Sequence, residues 1–503
     1  MTYGGHVRAL ARLGLPLIGG HLAQFAIGLT DTVMLGWYGV EALAAVTLAG
    51  SYFFVLFLMG AGFGWAVMPM VAAANASDDR VAIRRATRMG LWLSLIYAAL
   101  AMPLLWWSGP VLLALGQEPQ VAADAGRYLR IAGWGLFPAL LVMVLKSYLA
   151  ALERTQVVLW ITVLAAIANA LANYALIFGH WGAPALGLAG AAVASVLTQA
   201  ISLLAVLVYT ARRLPEHRLY QRLWRPDWEM FARVFRLGLP IGLTNLSEVS
   251  LFAASAMMMG WLGTVPLAAH GIVVQLASAT FMVHLGLSNA ATIRAGNAFG
   301  RGDRDHLARG ARTVFALSLA VAVLTVALFL ALPAPLMSLF MEPDDPARPA
   351  ILAIGAGLLA MAALFQLMDG AQVVALGLLR GVQDTAVPML MAALAYWAVG
   401  MPASYLLGFV AGWGGLGVWA GLVAGLGMAG ALLMARFWTS GLRRCAEGPA
   451  VADRATPAPA PVPAPSSPDG AAPSHAPTPT PAPIPAPAPT PTPAPGPRPG
   501  SAG

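Results

Sequence analysis

The stretch Arg12-Leu13-Gly14-Leu15-Pro16 is written a second time at Arg236-Leu237-Gly238-Leu239-Pro240, with Arg236 lying 224 residues after Arg12. At the same offset Gly36-Trp37 falls on Gly260-Trp261, Gly39 on Gly263, and Leu43-Ala44-Ala45 on Leu267-Ala268-Ala269. Asp79-Arg80 with Arg85 and Arg88 falls on Asp303-Arg304 with Arg309 and Arg312, and Glu118-Pro119 on Glu342-Pro343. Past the middle the frame slips by a few residues, so that Leu186-Gly187 meets Leu416-Gly417. A register held over such a length is a structural unit repeated once, and the unit must be large.

The composition says what that unit is made for. Of the 503 residues 59% are hydrophobic and 10% charged, and the mean hydropathy is +0.73, which does not describe a water-facing surface. Apolar runs of about 20 residues cross a ~30 Å hydrocarbon core. Six precede the basic stretch at Arg212 and six follow it, near 9–36, 44–72, 89–108, 127–150, 156–178, 186–210, 231–259, 266–293, 313–332, 350–376, 387–410 and 416–438. The expected fold is therefore an all-α integral membrane protein with twelve transmembrane helices in two pseudo-symmetric six-helix lobes around a central cleft, divided as 1–222 and 223–445. Six crossings return the chain to its starting side, so the second copy enters with the orientation of the first, and the lobes relate by an axis along the membrane normal.

The net charge of +8 comes almost wholly from arginine placed in alternate loops. Arg8, Arg12, Arg80, Arg84, Arg85, Arg88 and Arg154 share one side with Arg212, Arg213, Arg218, Arg222, Arg225, Arg301, Arg304, Arg309, Arg312 and Arg380. By the positive-inside bias this side, with both termini, is cytoplasmic. The arrangement reports topology in a bacterial-type inner membrane rather than nucleic-acid binding, for which no soluble basic fold is present. The first span already carries repeat sequence, so no removable signal is expected ahead of it. Lone Cys445, read as lying beyond the last span, forms no internal disulfide. Residues 446–503 are rich in Pro and Ala and favour an extended, uncored cytoplasmic tail. A monomer is expected.

Charges in hydrocarbon cost about 2.5–3.5 kcal/mol or more, so a carboxylate at depth is a functional hypothesis. At ~1.5 Å per residue, Glu248 lies ~18 Å inward of Arg236 and Asp369 ~17 Å inward of Arg380, near the midplane of the second lobe. Asp31 lies ~28 Å past Arg12 and Asn173 equally far past Arg154, with Asn169 on the same helix face. Carboxylate and amide oxygens are hard ligands that suit Na⁺, and a carboxylate alone suits H⁺. No cofactor is called for. Each residue also has a plain structural reading: Asp31 capping a helix end near Gly36, Glu248 pairing with Ser247 or Ser250, Asp369-Gly370 marking a kink, and the asparagines holding helices together.

Lys146, the only lysine, is expected to extend its head to the cytoplasmic interface, with pairing to an acid as the alternative. Pro16 and Pro240 each free a backbone carbonyl inside a span and are candidate hinges. Phe252, Met257, Phe281, Met282 and Phe365 are candidates for an adaptable apolar wall around a drug-sized ligand, with core packing as the competing role.

With these features in hand, the chain resembles the multidrug and toxic compound extrusion (MATE) family, NorM-type branch, over both lobes. The stretches that carry the resemblance are Leu267 to His270, Gly286 to Gly296, Asp31-Thr32 with Gly36, Glu342-Pro343, and Leu379-Arg380-Gly381 with Asp384-Thr385. The resemblance implies efflux of amphipathic, often cationic compounds coupled to Na⁺ or H⁺ entry. It also implies an N-lobe cation site at Asp31, Asn169 and Asn173 and a C-lobe cation site at Glu248 and Asp369. Ser195 stands where a family hydroxyl assists, and Phe365 where some members carry tyrosine, which removes a possible oxygen ligand. Pro16 falls on the family's first-helix proline, and the tail has no counterpart. Two other functions compete. A flippase of lipid-linked precursors would want basic residues facing the cleft. A membrane enzyme would need a motif such as HExxH or a Gly-rich phosphate loop, and neither is present.

Overall fold

Residues 2–342, 344 and 346–448 are described in a computed structural model of the chain. Among the described residues twelve helices are long and apolar enough to cross a membrane: α1 Tyr3–Tyr38, α2 Glu41–Ala76, α3 Arg80–Trp106, α4 Pro119–Ala151, α5 Thr155–Phe178, α6 Leu188–Arg213, α7 Trp228–Leu262, α8 Thr264–Arg301, α9 Arg304–Ala331, α10 Arg348–Gly381, α11 Ala386–Val410 and α12 Gly414–Glu447. Short helices Ser108–Ala114 and Pro333–Ser338 occupy the equivalent links before α4 and α10. No strand occurs among the described residues.

The helices overrun the expected apolar spans at their ends because polar caps carry them beyond hydrocarbon. Asp79 accepts from the backbone N–H groups of Val81 and Ala82 at the start of α3, and Asp303 accepts from that of His306 at the start of α9. The repeated Asp-Arg pair is thus a repeated N-cap. Glu118 accepts from Val121 N–H and Pro119 takes the first turn, so α4 begins eight residues before the expected 127. At the other end of the chain α12 runs on to Glu447, which places Cys445 inside the helix and fully buried rather than beyond it. The proposed tail therefore overlaps that helix at 446–447; residues 449–503 of it, and Pro343 of the repeated Glu-Pro pair, lie outside the described residues.

The buried side chains divide in a way that gives the fold its shape. At the Arg-rich end one continuous apolar core draws on both halves of the chain, from Leu10, Phe63 and Val144 to Ile241, Leu287, Val374 and Phe437. At the opposite end there are two separate cores. One is built only from the first repeat, around Leu35, Leu105, Leu129 and Leu140, and the other only from the second, around Leu251, Val273, Leu358 and Trp419. Two lobes joined at one end and parted at the other enclose a cleft that opens away from the arginines.

Glycine permits the join. A Cβ on Gly238 of α7 would lie 2.8 Å from Phe63 Cα of α2, and one on Gly286 of α8 would lie 2.8 Å from the backbone N of Ile18 of α1. Neither neighbour is a movable side-chain end, so only glycine lets these backbones touch. Hydrogen bonds cross the same seam: Asn289 donates to His21 Nε2 at 2.9 Å, Asn297 to Glu153 Oε1 at 3.2 Å, and Arg294 reaches His6 Nδ1 at 3.1 Å. Pro16 and Pro240 lie inside α1 and α7, which run through them without a break.

Candidate functional site

The first polar cluster lies in the N-terminal lobe where α1 packs on α5. Asn173 Nδ2 donates to Asp31 Oδ1 and, at 3.2 Å, to Asn169 Oδ1, so the three residues form one chain of contacts. Asp31 sits inside the helix, since α1 continues seven residues further to Tyr38, and it does not cap an end. Two atoms of the cluster, Asn173 Oδ1 and Asn169 Nδ2, are buried without a hydrogen-bond partner. A buried oxygen left over beside a carboxylate carries a desolvation cost that a bound cation would remove. Ser195 is close by in the lobe but bonds Tyr128 OH at 3.4 Å rather than Asp31.

The second cluster lies in the C-terminal lobe between α7, α10 and α11. Asp369 is 2% exposed and its Oδ1 has no hydrogen-bond partner, while half-buried Glu248 lies within electrostatic reach of it. Neither serine expected as a partner serves Glu248. Ser250 donates to Leu246 O at 2.7 Å, and Ser247 accepts from Trp397 Nε1 at 3.0 Å. Asp369-Gly370 makes no break in α10, which is continuous to Gly381; Gly370 instead leaves room for His284, whose ring bonds Ser318 Oγ at 2.9 Å.

Three residues that the sequence did not mark as part of a coupling site belong to this cluster. Arg380, read as an interface anchor, turns its head inward and donates to Asn245 Oδ1 at 3.1 Å, where its charge acts on Glu248. Gln372, one turn after Asp369, donates to Tyr396 OH at 2.6 Å, and Gln372 Oε1 is a further buried oxygen without a partner. Tyr396 is fully buried and sits in a π-helical turn, Ala395–Gly400, within α11. Such turns bulge the backbone outward and commonly mark functional positions. The one available signal was the spacing of Gln372 three residues after Asp369; a lone tyrosine in an apolar span gives none.

The apolar candidates divide. Phe252, Phe281 and Met282 are partly exposed and Met257 is 64% exposed, so each has surface free to meet lipid or cleft. Phe365 does not: it is 2% exposed, edge-on to Phe252 and Trp419 at ring-centre distances of 5.7 and 5.6 Å, and is part of the lobe's core. Lys146 also departs from expectation. Its Nζ donates to Thr162 Oγ1 at 2.8 Å between α4 and α5, a buried hydroxyl on the facing helix that takes the place of interfacial water.

The comparisons with known proteins agree with this architecture. The family model named MatE matches residues 16–175 and 240–406, once in each lobe. The chain belongs to the MatE family. This MatE chain is 45% identical over 449 residues to a "Probable multidrug resistance protein NorM" of Rhizobium meliloti, covering 89% of the chain and 96% of that relative. A protein of the same description from Pseudomonas aeruginosa is 39% identical, with 84% of this chain and 87% of that relative covered. Among solved structures, the eukaryotic MATE transporter AtDTX14 superposes with a TM-score of 0.79 at 18% identity, over 88% of this chain and 99% of that one, which establishes a shared fold.

Proposed function

We propose that this MatE chain is a secondary active antiporter that exports amphipathic, often cationic drugs or toxic organic compounds in exchange for Na⁺ or H⁺ entering the cell. The observation that carries this reading is the pairing of a cleft open at one end with a polar cluster, each holding a buried oxygen short of a donor, inside each lobe. The relatives named as multidrug resistance proteins support the substrate class.

The roles follow from chemistry. Asp31, Asn169 and Asn173 form the N-lobe coupling site, and Glu248 and Asp369 the C-lobe one. A cation entering either replaces the missing donor and neutralises the acid. That favours the conformation which has released the drug, and drug binding favours the one which has released the cation. Phe252, Met257, Phe281 and Met282 offer the apolar wall. Pro16 and Pro240 supply equivalent hinges, since each leaves a helix with one backbone hydrogen bond fewer. The Arg-rich face and both termini are assigned to the cytoplasm, so the cleft as it stands opens outward. The lobes correspond to 1–222 and 223–445, and each copy carries both coupling clusters, so a monomer suffices.

A flippase of lipid-linked precursors would place cations along the cleft, and the one lysine is bound to Thr162 instead; no observation favours that reading. The test is efflux of an organic cation dye from proteoliposomes under separately imposed Na⁺ and H⁺ gradients. Efflux that requires at least one inward gradient is expected. Dye movement indifferent to both gradients, or translocation of lipid alone, would refute the antiport.

A further inference from the structure

The segment joining the lobes, residues 214–227, is folded tightly onto the start of α3. Arg88 Nε donates to Leu219 O at 2.7 Å and its Nη2 to Arg218 O at 2.8 Å and to Gln221 O, while Trp92 Nε1 donates to Leu223 O at 2.7 Å. Arg218 and Arg222 are held at positive φ, 45° and 54°, a conformation costly for residues with a Cβ. Arg85 closes the arrangement on Asp227 and, at 2.8 Å, Glu229. The result is a cleft lined by Arg85, Arg88, Met89, Arg225, Asp227 and Trp228.

The charges in this cleft are not balanced by its own acids. Arg85 bridges Asp227 and Glu229, and Arg88 spends its N–H groups on neutral carbonyls, so these two arginines balance the two acids while Arg84 and Arg225 remain in excess. Arg84 adds to the field around Arg88. Arg225 is exposed and makes no side-chain hydrogen bond or ion pair among the described residues, and the indole N–H of Trp228 is likewise free. Two free donors face a net positive recess at the level where helices enter the membrane. Trp224 and Trp228 beside them are 73% and 66% exposed, large apolar surfaces of the kind that settle at headgroup depth.

We propose that this cleft binds the phosphate headgroup of an anionic phospholipid. Arg225 and the Trp228 indole donate to the phosphate, Arg88 and Arg84 supply the attracting charge, and Pro226 and the two tryptophans lie along the glycerol and upper acyl chain. A lipid is the source favoured over a soluble phosphate because the exposed aromatic surface has no use in binding a free anion. Because Arg85 belongs to the first lobe while Asp227 and Glu229 open the second, an occupied cleft reinforces the closed end of the molecule.

The experiment is native mass spectrometry of the full chain in detergent, offered equal phosphatidylglycerol and phosphatidylcholine, with photoreactive phosphatidylglycerol to locate the contact. Wild type is expected to retain phosphatidylglycerol selectively and to cross-link within 222–228. Arg225→Gln should weaken retention about fivefold, the value of one arginine charge at a membrane surface. Arg304→Gln, an arginine at the same face of the second repeat, should leave it unchanged. Inorganic phosphate at millimolar concentration should not displace the lipid. No preference for the anionic lipid, equal loss in both variants, cross-links elsewhere, or displacement by phosphate would each overturn the proposal. The wild-type preference and cross-link stand even if a variant misfolds.

Discussion

The two polar clusters occupy equivalent lobes of a repeated chain, yet they share almost no chemistry. At the 224-residue offset Asp31 falls on Ser255 and Glu248 on Gln24, and at the 230-residue offset that pairs the turns at Glu153 and Gln383, Lys146 falls on Leu376 and Asp369 on Ala139. The N-lobe cluster has one carboxylate held by an amide ladder, Asn173 to Asp31 and Asn173 to Asn169. The C-lobe cluster has two carboxylates, an arginine turned inward by Asn245, and Gln372 bonded to a buried tyrosine on a π-helical turn. The repeat preserves what shapes the backbone, including the Asp79 and Asp303 caps and the Pro16 and Pro240 positions. It does not preserve what binds. The backbone needs symmetry to rock two lobes about one joint, whereas coupling needs only that each lobe hold some charge whose neutralisation favours one conformation.

That contrast orders the expected effects of mutation. Asp369→Asn and Glu248→Gln remove charge from the pair and should reduce gradient-driven efflux most, by about 5–150-fold, the span of usual coupling energies. Equal loss on Asp31→Asn would make the lobes functionally equivalent despite their chemistry. Near-normal efflux in that variant alone would make the second lobe the coupling lobe.

Gly238→Val should come next. It forces a branched side chain against Phe63 Cα, in a seam where overpacking costs about 1–3 kcal/mol. Loss of the outward-open population, read by distances between spin labels on α2 and α7 at the Arg-rich end, is expected; unchanged distances would show that the seam does not set the closed end.

Asn173→Ala strips Asp31 of its donor and should cost about 1–3 kcal/mol of stability, read as a lowered Tm. The same truncation at Asn169, which only accepts from Asn173 in this cluster, should cost less.

The smallest effect belongs to the Arg85–Asp227 pair outside the membrane. The Arg85 guanidinium holds the Asp227 carboxyl below the usual carboxylate range. The pair's contribution is therefore present at neutral pH, complete above the ordinary aspartate value, and lost as pH falls through the depressed one. Part-exposed as it is, it should amount to no more than ~1 kcal/mol. Asp227→Asn should flatten this acid limb of a stability profile.

The fold was almost wholly legible from residue order, because apolar length and a repeated register need no tertiary information. Asp31, Asn173, Glu248 and Asp369 were legible because acids and amides are rare in such spans. Arg380 and Lys146 were misread because a long side chain can turn toward interface or interior, and the choice is made by a partner on another helix, Asn245 for one and Thr162 for the other. Phe365 was misplaced for a related reason: an aromatic ring one turn from an acid fits a cleft wall or a core, and Trp419 on α12 decides it. Tyr396 and Gln372 were missed because their pairing spans two helices, α10 and α11.

The central claim is that a bound cation at the intramembrane acids is exchanged for the exported compound. Its most direct test is dye efflux from proteoliposomes carrying wild type, Asp31→Asn, Glu248→Gln or Asp369→Asn, each under an imposed Na⁺ gradient and separately an imposed H⁺ gradient. Gradient-driven efflux in wild type that collapses when Glu248 or Asp369 is neutralised is the predicted result. Efflux that follows the gradient undiminished in all three variants would contradict it.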